Sequence, residues 1–305
     1  RREQQRPDPV SADELAEPPG TAHRHVSTDD GGSIHVLERG TGRPVLLVHG
    51  VTLAAAIWHY QLVDLASDHR VLAIDHRGHG ESKAGSDPHG LERLARDLHS
   101  VITDLDLRDV IVVGHSMGGM AALRYAVDFP DELRHRVSGL VLVSTTGGPV
   151  NPMAAWQGAI RAVAPFAARG LRAGSRVPGG LMPANDLGYV LARWGFGEKP
   201  SPSHVELTRA MNAATMSETL PDLVDALIEY DLSGFLAEID LPTLVVVGSK
   251  DRLTPPFHAR RLAKALPNAR LEVLPGCGHM PMLERRVELD RLVRDLAAGP
   301  AKARG

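Results

Sequence analysis

Ser116 lies in the segment GHSMG, residues 114–118, with Gly119 directly after it. An apolar run, residues 109–115, precedes the serine, and a helix-like run, residues 118–128, follows it. A serine on a sharp strand-to-helix turn has a strained backbone, and its neighbours must be small to avoid the adjoining strand and helix. The helix would also direct the N–H groups of its N-terminus toward the serine. We therefore interpret Ser116 as a nucleophile that is displayed by the turn.

A nucleophilic serine needs a base to take its proton and an acid to orient that base. His279 follows the last predicted strand, in the segment PGCGHMPMLE (275–284), and is the candidate base. Asp251 follows the run LVVVGSK (244–250), at the same predicted edge of the sheet, and is the candidate acid. The order Ser116, Asp251, His279 is the one expected when the nucleophile stands on such a turn.

Two backbone N–H groups are candidates for an oxyanion hole. The segment VHGVT (48–52) ends an earlier apolar run, and Val51 lies in it. Met117 directly follows the candidate nucleophile. We expect the N–H dipoles of Val51 and Met117 to face an oxygen that becomes negatively charged beside Ser116.

The elements that position these residues show in the hydrophobic pattern. Short apolar runs predict strands at 43–50, 69–80, 109–116, 140–148, 241–251 and 269–279. Such uninterrupted runs are typical of parallel strands that are covered on both faces. Helical periodicity lies between them, as over 91–106 and 283–297, and the turn residues of 29–32 predict a β-hairpin before the first run. The alternation predicts an α/β fold with a doubly wound, mostly parallel sheet.

Residues 149–235 interrupt this alternation. They contain helical patches and a Gly/Pro-rich segment; the patches are at 154–168, 187–194 and 205–230, and the segment is at 169–186. We expect a helical cap over the carboxyl edge of the sheet, where open α/β folds bind ligands. The predicted organisation is a mobile N-terminal tail (1–22), a core built from 23–148 and 236–299, and the cap at 149–235.

Composition excludes several classes of partner. The chain has 305 residues, 43% of them hydrophobic and 23% charged, and a net charge of −3, which indicates neither a nucleic-acid partner nor an anionic membrane surface. No apolar run approaches the roughly 18–20 residues of a transmembrane helix. The single cysteine, Cys277, favours a reducing compartment. We expect a cytoplasmic protein and make no prediction of its oligomeric state. A removed N-terminal leader or anchor is the alternative, because the chain begins at Arg1.

Five segments carry a resemblance to a known family: LLVHG (46–50), DHRGHGES (75–82), GHSMGG (114–119), GSKDRLTP (248–255) and GCGHMPMLE (276–284). Together they resemble the α/β-hydrolase superfamily, in its cap-bearing serine esterase and lipase branch, over about residues 24–298. Some relatives carry the acid after an earlier strand. That place here reads STT (144–146), without a carboxylate, which favours Asp251.

The histidines of DHRGHGES, His76 and His79, stand beside carboxylates and offer a metal site as an alternative. The resemblance implies instead a structural turn whose polar groups satisfy one another. His49 and His115 lie near the predicted oxyanion hole, and we interpret them as packing or hydrogen-bonding groups. No metal and no organic cofactor is expected.

The expected function is that of a serine hydrolase that cleaves small-molecule carboxylic esters of small to medium apolar acyl groups through an acyl-enzyme. Alternatives with the same three residues are a cofactor-free haloperoxidase or perhydrolase, which the segment TDLDLRDVIVVGHSMGG (103–119) resembles, and a lactonase or carbon–carbon hydrolase. A non-enzymatic alternative is a receptor-like homologue that binds a small ligand without turnover.

Overall fold

An eight-stranded sheet organises the computed structural model, which describes residues 8, 10, 13–149, 186–215 and 219–299. The strands are β1 (Ala22–Ser27), β2 (Ser33–Arg39), β3 (Arg43–Val48), β4 (His69–Ile74), β5 (Val110–His115), β6 (Val137–Val143), β7 (Thr243–Gly248) and β8 (Ala269–Leu274). Their order across the sheet is β1-β2-β4-β3-β5-β6-β7-β8. β2 is antiparallel to β1 and β4, and all other neighbours are parallel. The predicted hairpin and the predicted fold class are confirmed.

Helices lie between the strands, as the sequence predicts. In the described ranges they are α1 (His59–Asp64), α2 (Leu91–Asp104), α3 (Met117–Asp128), α4 (Pro130–Arg136), α5 (Asp186–Trp194), α6 (Pro202–Ala214), α7 (Leu220–Glu229), α8 (Pro256–Ala265), α9 (Pro281–Glu284) and α10 (Arg286–Ala297). None of these helices is long and apolar enough to cross a membrane. The parallel strands end at one common edge, and this edge carries the candidate site.

The central strands are apolar throughout because both faces of the sheet are covered. In β3, Leu46 and Val48 belong to the apolar cluster that includes residues of α2 and α3. Val45 and Leu47 belong to the cluster that includes residues of α1 and α10. All four side chains are fully buried. Successive strand residues point to opposite faces, so a strand buried on both faces needs an apolar residue at every position.

Arg77, which follows β4, is completely buried and joins the hairpin turn to α2. Its guanidinium donates to both carboxylate oxygens of Asp30, at 2.8 and 3.2 Å. It also donates to both oxygens of Asp97, at 2.7 and 2.8 Å, and Arg93 adds a bond to Asp97 at 3.0 Å. These contacts with Arg77 hold the pKa of Asp30 far below its usual range. Charges this deep in a protein are tolerated only when they are paired.

The described part of the predicted cap is helical, with one difference from the prediction. α5 coincides with the patch predicted at 187–194. The patch predicted at 205–230 is instead two helices, α6 and α7. Pro221 lies in the first turn of α7, where its missing N–H is not needed, so a new helix begins there. The patch predicted at 154–168 lies outside the described residues, and so does the segment predicted at 169–186 apart from Asp186.

Part of the predicted tail contacts the predicted cap. The Asp8 carboxylate accepts hydrogen bonds from the Ser201 hydroxyl and the Ser203 N–H, each at 2.6 Å. Burial raises the pKa of Asp8, but these bonds outweigh it and lower the pKa to about 2. The division into tail, core and cap stays a prediction.

Replacing Asp97 by alanine should lower the free energy of unfolding by about 3 kcal/mol, because Arg77 then stays buried with half of its partners removed. The measurement is urea unfolding followed by circular dichroism. Asp295→Ala is the matched control, since Asp295 forms an exposed pair with Arg291, and its loss should cost less than about 0.5 kcal/mol. Equal effects of the two substitutions would contradict the role given to Arg77.

Candidate active site

Ser116 stands at the turn between β5 and α3, at the carboxyl edge of the sheet. Its backbone has φ 52° and ψ −119°, a conformation that costs a non-glycine residue of order 1–3 kcal/mol unless its surroundings enforce it. The Ser116 N–H donates to the Val143 carbonyl at 2.9 Å. The Ser116 carbonyl accepts from the Thr145 hydroxyl at 2.7 Å. Strand β6 and the residues after it therefore hold the strained turn.

Three glycines allow α3 to begin this close to the sheet. A Cβ on Gly114 would lie 2.6 Å from the Cα of Gly119. A Cβ on Gly118 would lie 2.4 Å from the carbonyl oxygen of Val48, and one on Gly119 would lie 2.7 Å from the side chain of Thr145. The spacing of glycines around the serine is thus a packing requirement, as the sequence analysis expects.

Asp251 and His279 form a buried hydrogen-bonded pair in the loops after β7 and β8. His279 Nδ1 lies 2.9 Å from Oδ2 and 3.1 Å from Oδ1 of Asp251. Asp251 also accepts from the N–H groups of Leu253 and Thr254 and from the Thr254 hydroxyl, each at 2.9 Å. Because Nδ1 donates to the carboxylate, we assign the tautomer in which Nε2 carries the lone pair. That nitrogen can take a proton from a hydroxyl.

Asp251 is ionised at neutral pH despite its burial. Burial raises the pKa of this carboxyl, but the attraction and hydrogen bond of His279 and the donors of Thr254 outweigh it, so the pKa lies below its usual value. An ionised carboxylate at this place orients the imidazole and stabilises a positive charge on it.

The structure brings the predicted serine and histidine segments together. The ring Nε2 of His115, the residue before Ser116, donates to the carbonyl of His279 at 2.8 Å. The rings of His115 and His279 have centroids 4.7 Å apart. Since Asp251 contacts His279, all three residues predicted to act together lie on adjoining loops at one sheet edge.

The turn after β3 lies directly against Ser116. A Cβ on Gly50 would lie 3.0 Å from the Cβ of Ser116. The Leu53 N–H donates to the Gly50 carbonyl at 3.3 Å and closes the turn that contains Val51. The N–H groups of Val51 and Met117 have no hydrogen-bond acceptor among the residues that the structure describes. Both remain available to an oxygen bound beside the serine.

The DHRGHGES segment fixes this turn, which agrees with the structural role that the resemblance implies. The ring Nε2 of His79 accepts the Thr52 N–H at 3.2 Å. The Asp75 carboxylate accepts the Ala55 N–H at 2.6 Å. Two polar side chains of the segment therefore satisfy the backbone around the candidate oxyanion turn.

Three other histidines near the site are poorly suited to act as a base. Burial lowers the pKa of His76 and His115 to about 3 and that of His49 well below its usual value. The His49 ring donates from Nδ1 to the Gly50 carbonyl at 2.6 Å and accepts the His76 N–H on Nε2 at 2.9 Å. These rings are neutral hydrogen-bonding groups, as expected for His49 and His115.

Glu284 positions the loop of His279, a role that was not predicted from the sequence. Its carboxylate accepts from the N–H groups of Gly197 and Gly278 at 2.8 and 2.9 Å. The His279 N–H donates to the Gly195 carbonyl at 2.6 Å. Because Gly195 and Gly197 follow α5, the predicted cap reaches the loop of the candidate base. The sequence signal for this role was the glutamate at the end of the glycine-rich segment 276–284.

Comparison with known proteins identifies relatives. A family model described as "alpha/beta hydrolase fold" matches residues 43–286. A non-heme chloroperoxidase of Kitasatospora aureofaciens is 31% identical over 272 residues, which cover 83% of this chain and 90% of that protein. A non-heme haloperoxidase of Rhodococcus erythropolis is 32% identical over 273 residues, which cover 83% of this chain and 92% of that protein.

Solved structures show the same architecture. A thermophilic esterase of Thermogutta terrifontis superposes with a TM-score of 0.76 at 26% identity, and the match covers 90% of this chain and 97% of the esterase.

Replacing Glu284 by alanine should lower the free energy of unfolding by about 2 kcal/mol, because the N–H groups of Gly197 and Gly278 lose their acceptor. Glu284→Gln keeps a carbonyl acceptor and should lose less. Thermal and urea unfolding measure both effects. Glu288→Ala, an exposed glutamate on α10, is the control, and a Glu284→Ala protein as stable as this control would refute the positioning role.

Proposed function

Since the chain belongs to the α/β-hydrolase family, we propose that it is a serine hydrolase that cleaves carboxylic esters of small to medium apolar acyl groups. The observation that carries the proposal is Ser116, held at a strained φ of 52° at the N-terminus of α3. The Asp251–His279 pair on the adjoining loops supports it. The likeness to a solved esterase supports the ester class.

In the proposed mechanism, the hydroxyl oxygen of Ser116 attacks the ester carbonyl carbon while His279 Nε2 takes the hydroxyl proton. Asp251 stays ionised, keeps the ring in the required tautomer and stabilises the imidazolium. The carbonyl oxygen becomes negative and accepts hydrogen bonds from the N–H groups of Val51 and Met117. Both N–H groups belong to segments that are already packed around Ser116, so we expect little reorganisation to oppose the step.

The tetrahedral intermediate collapses when His279 returns the proton to the leaving alcohol, and an acyl ester remains on Ser116. Water then attacks this ester with the same histidine as its base, and the released acid restores the serine.

A second candidate function is perhydrolysis, in which hydrogen peroxide replaces water in the last step and a peracid leaves. The observation that favours it is the 31–32% identity to proteins named non-heme chloroperoxidase and haloperoxidase. Bromination or chlorination of a reporter in acetate buffer with peroxide distinguishes the two acceptors, and the activity must depend on both acetate and Ser116.

A panel of p-nitrophenyl esters, from acetyl to palmitoyl, tests the proposal. Wild-type protein should turn over short or medium esters, and Ser116→Ala should lower kcat/KM by at least about 10⁴-fold because the nucleophile is lost. Ser100→Ala, on α2, is the matched control and should keep wild-type activity.

Near-wild-type turnover by a folded Ser116→Ala protein would overturn the mechanism. Tight binding of an intact ligand without any turnover by the wild type would favour the receptor-like alternative instead.

A further inference from the structure

A cluster of metal-ligating side chains lies on the β1–β2 hairpin and the segment after β4, apart from the Ser116 edge. It consists of His23 on β1, His35 on β2 and Glu81. One nitrogen of each histidine and a carboxylate oxygen of Glu81 all lie within 4.8 Å of one another. His35 is buried, whereas His23 and Glu81 are exposed, so the cluster opens to solvent on one side.

The hydrogen bonds that the His23 and His35 rings make to carboxylates leave two acceptor nitrogens facing each other. His35 Nδ1 lies 2.8 Å from the Asp75 carboxylate, and His23 Nε2 lies 2.9 Å from the Glu17 carboxylate. A carboxylate accepts, so each of these nitrogens carries a proton. The remaining nitrogens, His23 Nδ1 and His35 Nε2, then face each other with lone pairs at 2.9 Å. A cation between them, or an extra proton on one ring, must resolve the repulsion.

The carboxylates around the two rings favour the binding of a cation whose charge is higher than that of one proton. Asp75 is almost completely buried, with 3% of its surface exposed. Arg77, two residues later, forms its ion pairs with Asp30 and Asp97 and not with Asp75. Asp75, Glu17 and Glu81 therefore surround two imidazoles, and one proton leaves this group with net negative charge.

The backbone around the cluster is fixed. The His35 N–H donates to the Ser82 hydroxyl at 2.8 Å, and that hydroxyl donates to the Asp75 carbonyl at 2.7 Å. The Glu81 N–H donates to the Asp75 carboxylate at 3.0 Å. These hydrogen bonds thus fix the hairpin and the segment that carries Glu81 relative to each other.

We propose that His23, His35 and Glu81 bind a divalent transition metal, best matched by Zn²⁺, with water in the fourth position. Two imidazoles and one carboxylate form a donor set that zinc accepts, and tetrahedral bonds of about 2.0–2.2 Å place donors roughly 3.3 Å apart. The facing nitrogens are already close to this spacing, and rotation of the exposed Glu81 side chain completes it. Asp75 and Glu17 serve as the outer carboxylates that orient zinc-bound histidines in many proteins.

The metal would link the edge strand β1 to β2 and to the segment after β4, and its role would be structural. It takes no part in the proposed ester hydrolysis, so the two proposals fail or succeed separately.

Isothermal titration of ZnCl₂ into chelator-treated protein without a polyhistidine tag tests the site. We expect one ion per chain with a Kd near or below about 1 μM, and a rise in Tm with zinc concentration, since the ion binds the folded state. His23→Ala and Glu81→Gln should each weaken binding at least about 10-fold. His135→Ala, an exposed histidine on α4, should bind as wild type, and ester hydrolysis should not change on chelation.

Zinc binding weaker than about 100 μM, or binding that survives both His23→Ala and Glu81→Gln, would overturn the proposal and leave a shared proton between the rings.

Discussion

The close approach of α3 to the end of β3 is the constraint on which the site depends. Ser116 adopts a positive φ because Gly114, Gly118 and Gly119 leave no side chain between helix and sheet. The strain is balanced by hydrogen bonds to β6 and by burial of the apolar face of α3. The same approach places the first N–H groups of α3 beside the serine, so the candidate nucleophile and the candidate oxyanion donor both depend on the packing of α3 against β3.

The segment DHRGHGES connects this edge to the rest of the sheet. Arg77 joins the hairpin turn to α2, His79 holds the turn that contains Val51, and Asp75 contacts both that turn and His35. Most polar side chains of this segment are buried, and buried donors and acceptors must be satisfied. Its sequence is therefore restricted by the candidate oxyanion turn on one side and by the hairpin on the other.

The features that could be predicted from the sequence are those that depend on residues close together in the chain. The strands followed from runs buried on both faces, and the positions of Ser116, Asp251 and His279 followed from the rule that parallel strands end at one edge. Contacts between distant segments were missed: Glu284 with Gly197, Arg77 with Asp30, and His23 with His35 depend on loop paths and strand register. The patch at 205–230 was predicted as one helical stretch because periodicity continues across the break before Pro221.

Covalent labelling tests the central claim most directly, because it reports the nucleophile without any assumption about the ester substrate. The protein is treated with diethyl p-nitrophenyl phosphate, and the adduct is located by peptide mass spectrometry. The account predicts one diethylphosphoryl group on Ser116, formed in parallel with the loss of esterase activity. In Asp251→Asn the labelling should be at least about 10³-fold slower, because His279 loses the charge that orients it. Labelling at another residue, or no labelling of a folded and active protein, would contradict it.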